Sequence, residues 1–272
     1  MSYLAYVTVS VVGVSGVVAI VAWHRRGLRR LSDVLGVGVL SLIAVGYTFG
    51  WDAYLIYRDV WWYGDGVVSF RIVGVPAGEI LFFVAQTSLT SFWLYSLKPD
   101  FGRSLGETEP DRHRDGFGLD PALVTVVLGG VSGLLLVFVA PQRYYYLGQI
   151  LVWGAPMVFF LWYVGSEILR ENIRLVVAGV AVPTVYLWGV DRAAIQRGLW
   201  TISEEHSTGI GLLGLPLEEM VFFGVTNSLV VFGLVLYLWV AERARDGEKE
   251  EDYLTGMRRL ILGVRDGDGN TR

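Results

Sequence analysis

Two decapeptides carry the residues best suited to chemistry, 74-GVPAGEILFF-83 and 214-GLPLEEMVFF-223. Each sets a glutamate three residues after a proline, at the mouth of a long apolar run. A carboxyl group is costly in hydrocarbon, so one placed in a membrane segment marks proton, ion or ligand handling. In a water-poor site a carboxyl group can give or take a proton near neutrality, and two close together divide those roles. Pro216 puts Glu218 and Glu219 in a first helical turn. There the helix dipole favours the ionised form by ~0.3–1 kcal/mol, a term that burial outweighs only for a side chain pointing inward. Which glutamate acts as acid and which as base stays open at this level.

The elements that must hold these glutamates are membrane spans. The chain has 272 residues, 53% of them apolar and 14% aromatic, more than a soluble domain of this length carries. It has no cysteine, so disulfides and thiolate metal sites are excluded. Its three histidines, His24, His113 and His206, lack metal-ligand spacing, and no metal site is expected. A net charge of −4 argues against a nucleic-acid partner.

Windows of apolar residues predict an all-α integral membrane protein with seven spans. They fall at 3–23, 32–50, 76–97, 120–140, 145–164, 173–190 and 216–240, with 141-PQRY-144 as a tight turn between the fourth and fifth. The first run is too long for a signal-peptide core and is read as a retained span. Most of the 22 basic residues fall in 24-HRRGLRR-30, the loop after the third span, the loop after the fifth, and the tail. That bias predicts an N-terminus outside and a C-terminus in the cytoplasm of a multi-pass cell-membrane protein. The tail after 240 reads as charged and disordered, apart from a short basic amphipathic piece at 253–262.

Aligning Pro76 with Pro216 superposes Glu79 on Glu219, Phe82-Phe83 on Phe222-Phe223, and Ser88-Leu89 on Ser228-Leu229. Upstream, 51-WDAYLIYRDVWW-62 matches 190-VDRAAIQRGLW-200, pairing Asp52 with Asp191, Arg58 with Arg197 and Trp61 with Trp200. The match predicts two parallel three-helix repeats, 1–97 and 145–240, joined by a linker segment 98–144 and followed by a cytoplasmic tail 241–272. Both Asp/Trp segments, read as loops, and both Pro-x-x-Glu helix starts would then meet at one side of the bilayer.

These segments resemble the membrane-embedded, non-flavin lycopene cyclase family, whose members occur as two small subunits, as one fused chain, or as half of a larger fusion. The resemblance runs over most of residues 3–240. It departs at 76-PAGE-79, where Gly78 stands opposite Glu218. It implies acid–base cyclisation of the linear ends of lycopene to β-rings through carbocations, giving β-carotene without net redox change. It implies no cofactor, a carotenoid substrate within the bilayer lipids, and association with other carotenoid-pathway enzymes.

Glu79, Glu219 and Glu218 are the candidate catalytic residues. Trp51, Trp61, Trp62, Trp200, Phe83 and Phe223 are candidates for binding the polyene or stabilising cations, which aromatic faces do at roughly 2 kcal/mol or more each when dry. Trp61, Trp62 and Trp200 fit an interfacial belt equally well, and the phenylalanines fit plain helix packing. Asp52 and Asp191 are expected to brace their loops by pairing with Arg58, Arg71, Arg192 or Arg197. Ser88 and Ser228 are expected to hydrogen-bond between helices, and His206 to be solvated. The Gly-rich 34-VLGVGVL-40 suits close helix packing or a slot for the polyene.

Competing classes fare worse. A retinal Schiff base needs a lysine in the last span, and 216–240 has none. A prenyltransferase needs clustered aspartates, and a flavin enzyme needs a βαβ unit. A carotenoid- or lipid-binding or proton-coupled carrier is the alternative from another class, and a cyclase acting on C50 carotenoids the alternative substrate.

Overall fold

The structure, a computed structural model, describes residues 1–25, 28, 30–97 and 120–245. Among these described residues, seven helices are long and apolar enough to cross a membrane. They are α1 (Tyr3–His24, with a π-turn at Thr8–Val12), α2 (Leu31–Tyr57), α3 (Ala77–Leu97), α4 (Pro121–Phe138), α5 (Tyr145–Glu171), α6 (Ile173–Gln196) and α7 (Leu217–Arg245). A 3-10 turn at Gln142–Tyr144 joins α4 to α5, where the PQRY turn was expected. The basic residues from Lys98 to Arg114 and the amphipathic piece at 253–262 lie outside the described residues.

The second and sixth spans are longer than their hydropathy suggests. Residues 51–57 and 191–196 continue α2 and α6 as helix, so Asp52 and Asp191 are helical residues and not loop residues. Each carboxyl group turns inward (3% exposed in both cases), while the apolar neighbours Leu55 and Ala194 fill the core around it. Hydropathy windows end a span at an acid, whereas a helix with an interior to face continues through it.

Among the described residues, short strands lie between the helices: β1 (Trp61–Tyr63), β2 (Arg71–Ile72), β3 (Val75–Pro76), β4 (Trp200–Ile202), β5 (Gly211–Leu212) and β6 (Leu215–Pro216). β2–β3 and β5–β6 are tight hairpins leading straight into α3 and α7. Their turn residues, Val73-Gly74 and Leu213-Gly214, all have positive φ, as a two-residue type I′ turn requires. β1 pairs antiparallel with β4, with Trp62 opposite Thr201 at the centre. The flanking bonds are reciprocal, Gly64 N–H to Leu199 O and Ser203 N–H to Val60 O. Likewise Tyr3 N–H donates to Val67 O and Tyr146 N–H to His206 O. The order long helix, strand, hairpin, long helix therefore occurs twice, with matching backbone contacts.

Small residues let the helices approach. A Cβ on Gly36 of α2 would lie 2.7 Å from the Tyr237 ring of α7, so the glycines of 34–40 serve packing at this point. α4 packs on α5 and is otherwise little covered. It is anchored by Asp120, its N-cap, which pairs with Arg170 at 2.6 Å and accepts from Trp162 Nε1.

Buried amide and hydroxyl groups tie α3, α6 and α7 together. Gln86 donates to Thr226 Oγ1 (2.6 Å), Thr90 to Asn227 Oδ1 (2.7 Å) and Asn227 Nδ2 to Thr184 Oγ1 (2.9 Å). The serines expected in this role do not fill it. Ser228 bonds back to Gly224 O in its own helix, and Ser88 makes no such bond among the described residues. In hydrocarbon a lone serine is easily satisfied by the preceding turn, whereas an amide needs partners on another helix.

Candidate active site

The strand-and-hairpin end of the bundle encloses a cavity of about 500 Å³, its open mouth included. It is lined by residues of α1, α2, α3, α5, α6 and α7 together with β1 and β4. The two hairpins place Glu79 and Glu219 in the first turns of α3 and α7, facing this space. Asp52 and Asp191 enter from the C-terminal parts of α2 and α6, so four carboxyl groups share one cavity.

The glutamates are held by tyrosines. Tyr63 of β1 donates to Glu79 Oε1 at 2.5 Å, and in turn accepts from Trp61 Nε1 at 3.2 Å. Tyr146, in the first turn of α5, donates to Glu219 Oε1 at 2.8 Å. Burial, with the Glu79 carboxylate beside it, pushes the Tyr63 phenol well above its ordinary value and keeps it a donor. Tyr3 of α1 lines the same cavity and packs edge-on against Trp200. None of these tyrosines was singled out from the sequence. A signal existed in Tyr3-Leu4 and Tyr146-Leu147, which open the first and fifth spans alike.

The aspartates are not paired as expected. Among the described residues no ion pair joins either of them to an arginine. Arg58 instead covers the Tyr145 ring, Arg197 covers Tyr6 and bonds Ala193 O, and Arg71 covers Tyr63 and bonds Gly74 O. Arg58 and Arg197 are exposed and stay outside the cavity. Oδ2 of Asp52 and Oδ2 of Asp191 have no hydrogen-bond partner among the described residues. Leaving a buried polar atom unpaired costs roughly 1–3 kcal/mol, and such groups call for an explanation.

Aromatic side chains wall the cavity. Trp51, Trp61, Trp200, Phe83 and Phe223 all line it, joined by Phe82 and Phe222. Trp51 stacks on Trp153 (4.8 Å between centroids) and lies parallel to Phe222 at 6.0 Å. Trp61 meets Tyr146 at 5.4 Å. Trp62 points the other way, 47% exposed, as alternation along a strand demands.

Two further residues depart from expectation. Glu218 is fully buried but turns from the cavity into the preceding loop, accepting from Thr208 N–H (2.6 Å) and Ser207 Oγ (3.2 Å). His206 is buried, not solvated. It contacts Ser203 Oγ at 3.0 Å and sits edge-on to Tyr145, because its loop folds under the start of α5. Among the described residues no group of three or more potential ligands is placed to hold a metal ion.

Fold and cavity together define a class: a seven-helix membrane-type protein with an aromatic-walled, carboxyl-lined cavity at one end of the bundle. Comparison with known proteins narrows it. A family model described as Lycopene cyclase matches residues 3–97 and 142–240, and the chain belongs to that family. It is 38% identical over 252 residues to the lycopene beta-cyclase of Halobacterium salinarum strain R1, covering 90% of this chain and 99% of that protein. It is 36% identical over 226 residues to a bifunctional lycopene cyclase/phytoene synthase of Gibberella fujikuroi, covering 80% of this chain and 37% of that protein. No solved structure matches.

Proposed function

We propose that the protein is a lycopene beta-cyclase of the membrane, converting the linear end groups of lycopene to β-rings. The observation that carries this reading is the pairing of Glu79 and Glu219, each hydrogen-bonded by a tyrosine, inside one aromatic-walled cavity. Cyclisation begins when a proton adds at C2 of the end group and leaves a cation at C1. The C5=C6 electrons then close the ring onto C1, moving charge to C5. Loss of the C6 proton forms the β-ring, so the reaction is neutral in protons and electrons. The chemistry calls for a proton donor, a proton acceptor, exclusion of water, and π-faces beside the cation. Carboxyl groups supply the first two roles, and the Trp51, Trp61 and Phe222 faces supply the last.

The chain is read as two parallel three-helix units, α1–α3 and α5–α7, joined by α4. The matched backbone contacts and the two matched stretches on either side of α4 support this. The excess of basic residues in three inter-helix segments and the tail supports an external N-terminus, with the cavity at the outer side of the bilayer. The fusion to phytoene synthase in the fungal relative supports association with other enzymes of carotenoid synthesis. Expression in lycopene-producing cells tests the activity: cyclised carotenoid is expected, and lycopene alone, with the chain in the membrane, contradicts it.

A further inference from the structure

We propose that Asp52 and Asp191 are the proton donors of the cyclisation, and that Glu79 and Glu219 are its proton acceptors. This rests on the cyclase reading above. The distinction comes from hydrogen bonding within the cavity. Glu79 and Glu219 each receive a tyrosine hydroxyl, at 2.5 and 2.8 Å, an arrangement that stabilises a carboxylate anion. Asp52 and Asp191 each present an oxygen, Oδ2, that no donor reaches, although both residues are 3% exposed. An unsolvated, unbonded carboxyl oxygen is suited to carry a proton and not a charge. The arrangement occurs twice, toward matching ends of α2 and α6, and among the described residues no arginine pairs with either aspartate. Asp52 is within electrostatic reach of Glu79, and Asp191 of both glutamates.

The proton ledger then closes inside the cavity. An aspartic acid gives its proton to C2, and a glutamate carboxylate takes the proton from C6. The glutamic acid so formed returns that proton to the aspartate, and the next end group finds both partners reset.

Asparagine at each aspartate is close to isosteric and breaks no hydrogen bond of Oδ2, so a merely structural role predicts tolerance. The experiment compares Asp52→Asn, Asp191→Asn and their double with the double variant Glu79→Gln/Glu219→Gln. All are produced in lycopene-accumulating cells, with membrane level and detergent-solubilised melting checked for each. Loss of the donors is expected to remove every kind of ring, by ~100-fold or more in the double. Loss of the acceptors still permits protonation and closure, and the aspartate carboxylate left by the first step is then the remaining base, so the rings that form are expected to give it a proton from C4 or from the C5 methyl. Their double bond is then displaced, a change visible by absorbance and NMR. A folded Asp double variant that keeps β-ring formation within about tenfold of the parent overturns the proposal, on the usual size of acid catalysis. Displaced double bonds from the Asp double variant overturn it as well. If the unaltered chain makes no ring at all, the cyclase reading itself fails, and that outcome is separately visible.

Discussion

The two glutamate sites share a backbone and differ in what surrounds them. In the first, the hairpin β2–β3 delivers Glu79, Tyr63 holds it, and position 78 is a glycine pressed against the Tyr3 ring. In the second, the hairpin β5–β6 delivers Glu219, Tyr146 holds it, and position 218 is a glutamate tied to the 207–208 backbone and hydroxyl. Ile202, which lines the cavity, holds the repeat position that matches Tyr63, so β4 offers no hydroxyl there. The aromatic wall is one-sided too. Trp51 stacks on Trp153, whereas Val190 precedes Asp191 in the matching place. The lesson is that the four acidic positions are kept in both units, while several positions around them, inside the cavity and beside it, have diverged.

Variants test this contrast, and the largest effects are expected at the glutamates themselves. Glu79→Gln and Glu219→Gln should each lower β-ring formation by ~100-fold or more, the usual size of a lost acid–base group, with protein still present in the membrane. Pigment chromatography reads the result, and near-normal product from both would remove these residues from the chemistry. Tyr63→Phe and Tyr146→Phe each delete a hydrogen bond to a carboxylate, ~1.5–3 kcal/mol, so ring formation should fall by roughly 10- to 100-fold. Unequal losses would show which glutamate depends more on its tyrosine. Gly78→Ala sets a Cβ 2.5 Å from the Tyr3 ring, so the ring must shift. Overpacking of this kind costs about 1–3 kcal/mol, to be read as a lower melting temperature of the solubilised protein.

Glu218→Gln should reduce ring formation by less than about tenfold, because it weakens a loop contact worth roughly 1.5–3 kcal/mol and not the cavity itself. A loss equal to that of Glu219→Gln would erase the contrast drawn between these neighbours. Trp62→Ala, on the outward side of β1, should change activity by no more than about twofold, since exposed substitutions rarely exceed ~0.5 kcal/mol.

Much of this site was legible in the sequence, for a physical reason. A proline-led helix start with an acid is a common capping pattern by itself, and it was its recurrence at two apolar runs, together with the family resemblance, that pointed to Glu79 and Glu219. Aromatic residues at matching offsets located Trp61, Trp200 and the phenylalanine pairs. Hydropathy failed at Asp52 and Asp191 because an averaging window treats a charged residue as an end, although the helix carries it into an enclosed space. Tyr63 and Tyr146 escaped notice because a tyrosine in an apolar run reads as packing until its hydroxyl is placed against a partner. The Gln86–Thr226 contact was likewise hidden, since it depends on two helices distant in sequence lying side by side.

The most direct measurement is chromatography of pigments from lycopene-producing cells that express this chain. Conversion of lycopene to a carotenoid with β-rings is expected, and it should be lost on replacing Glu79 and Glu219. Unchanged lycopene, with the chain shown to be in the membrane, would contradict it.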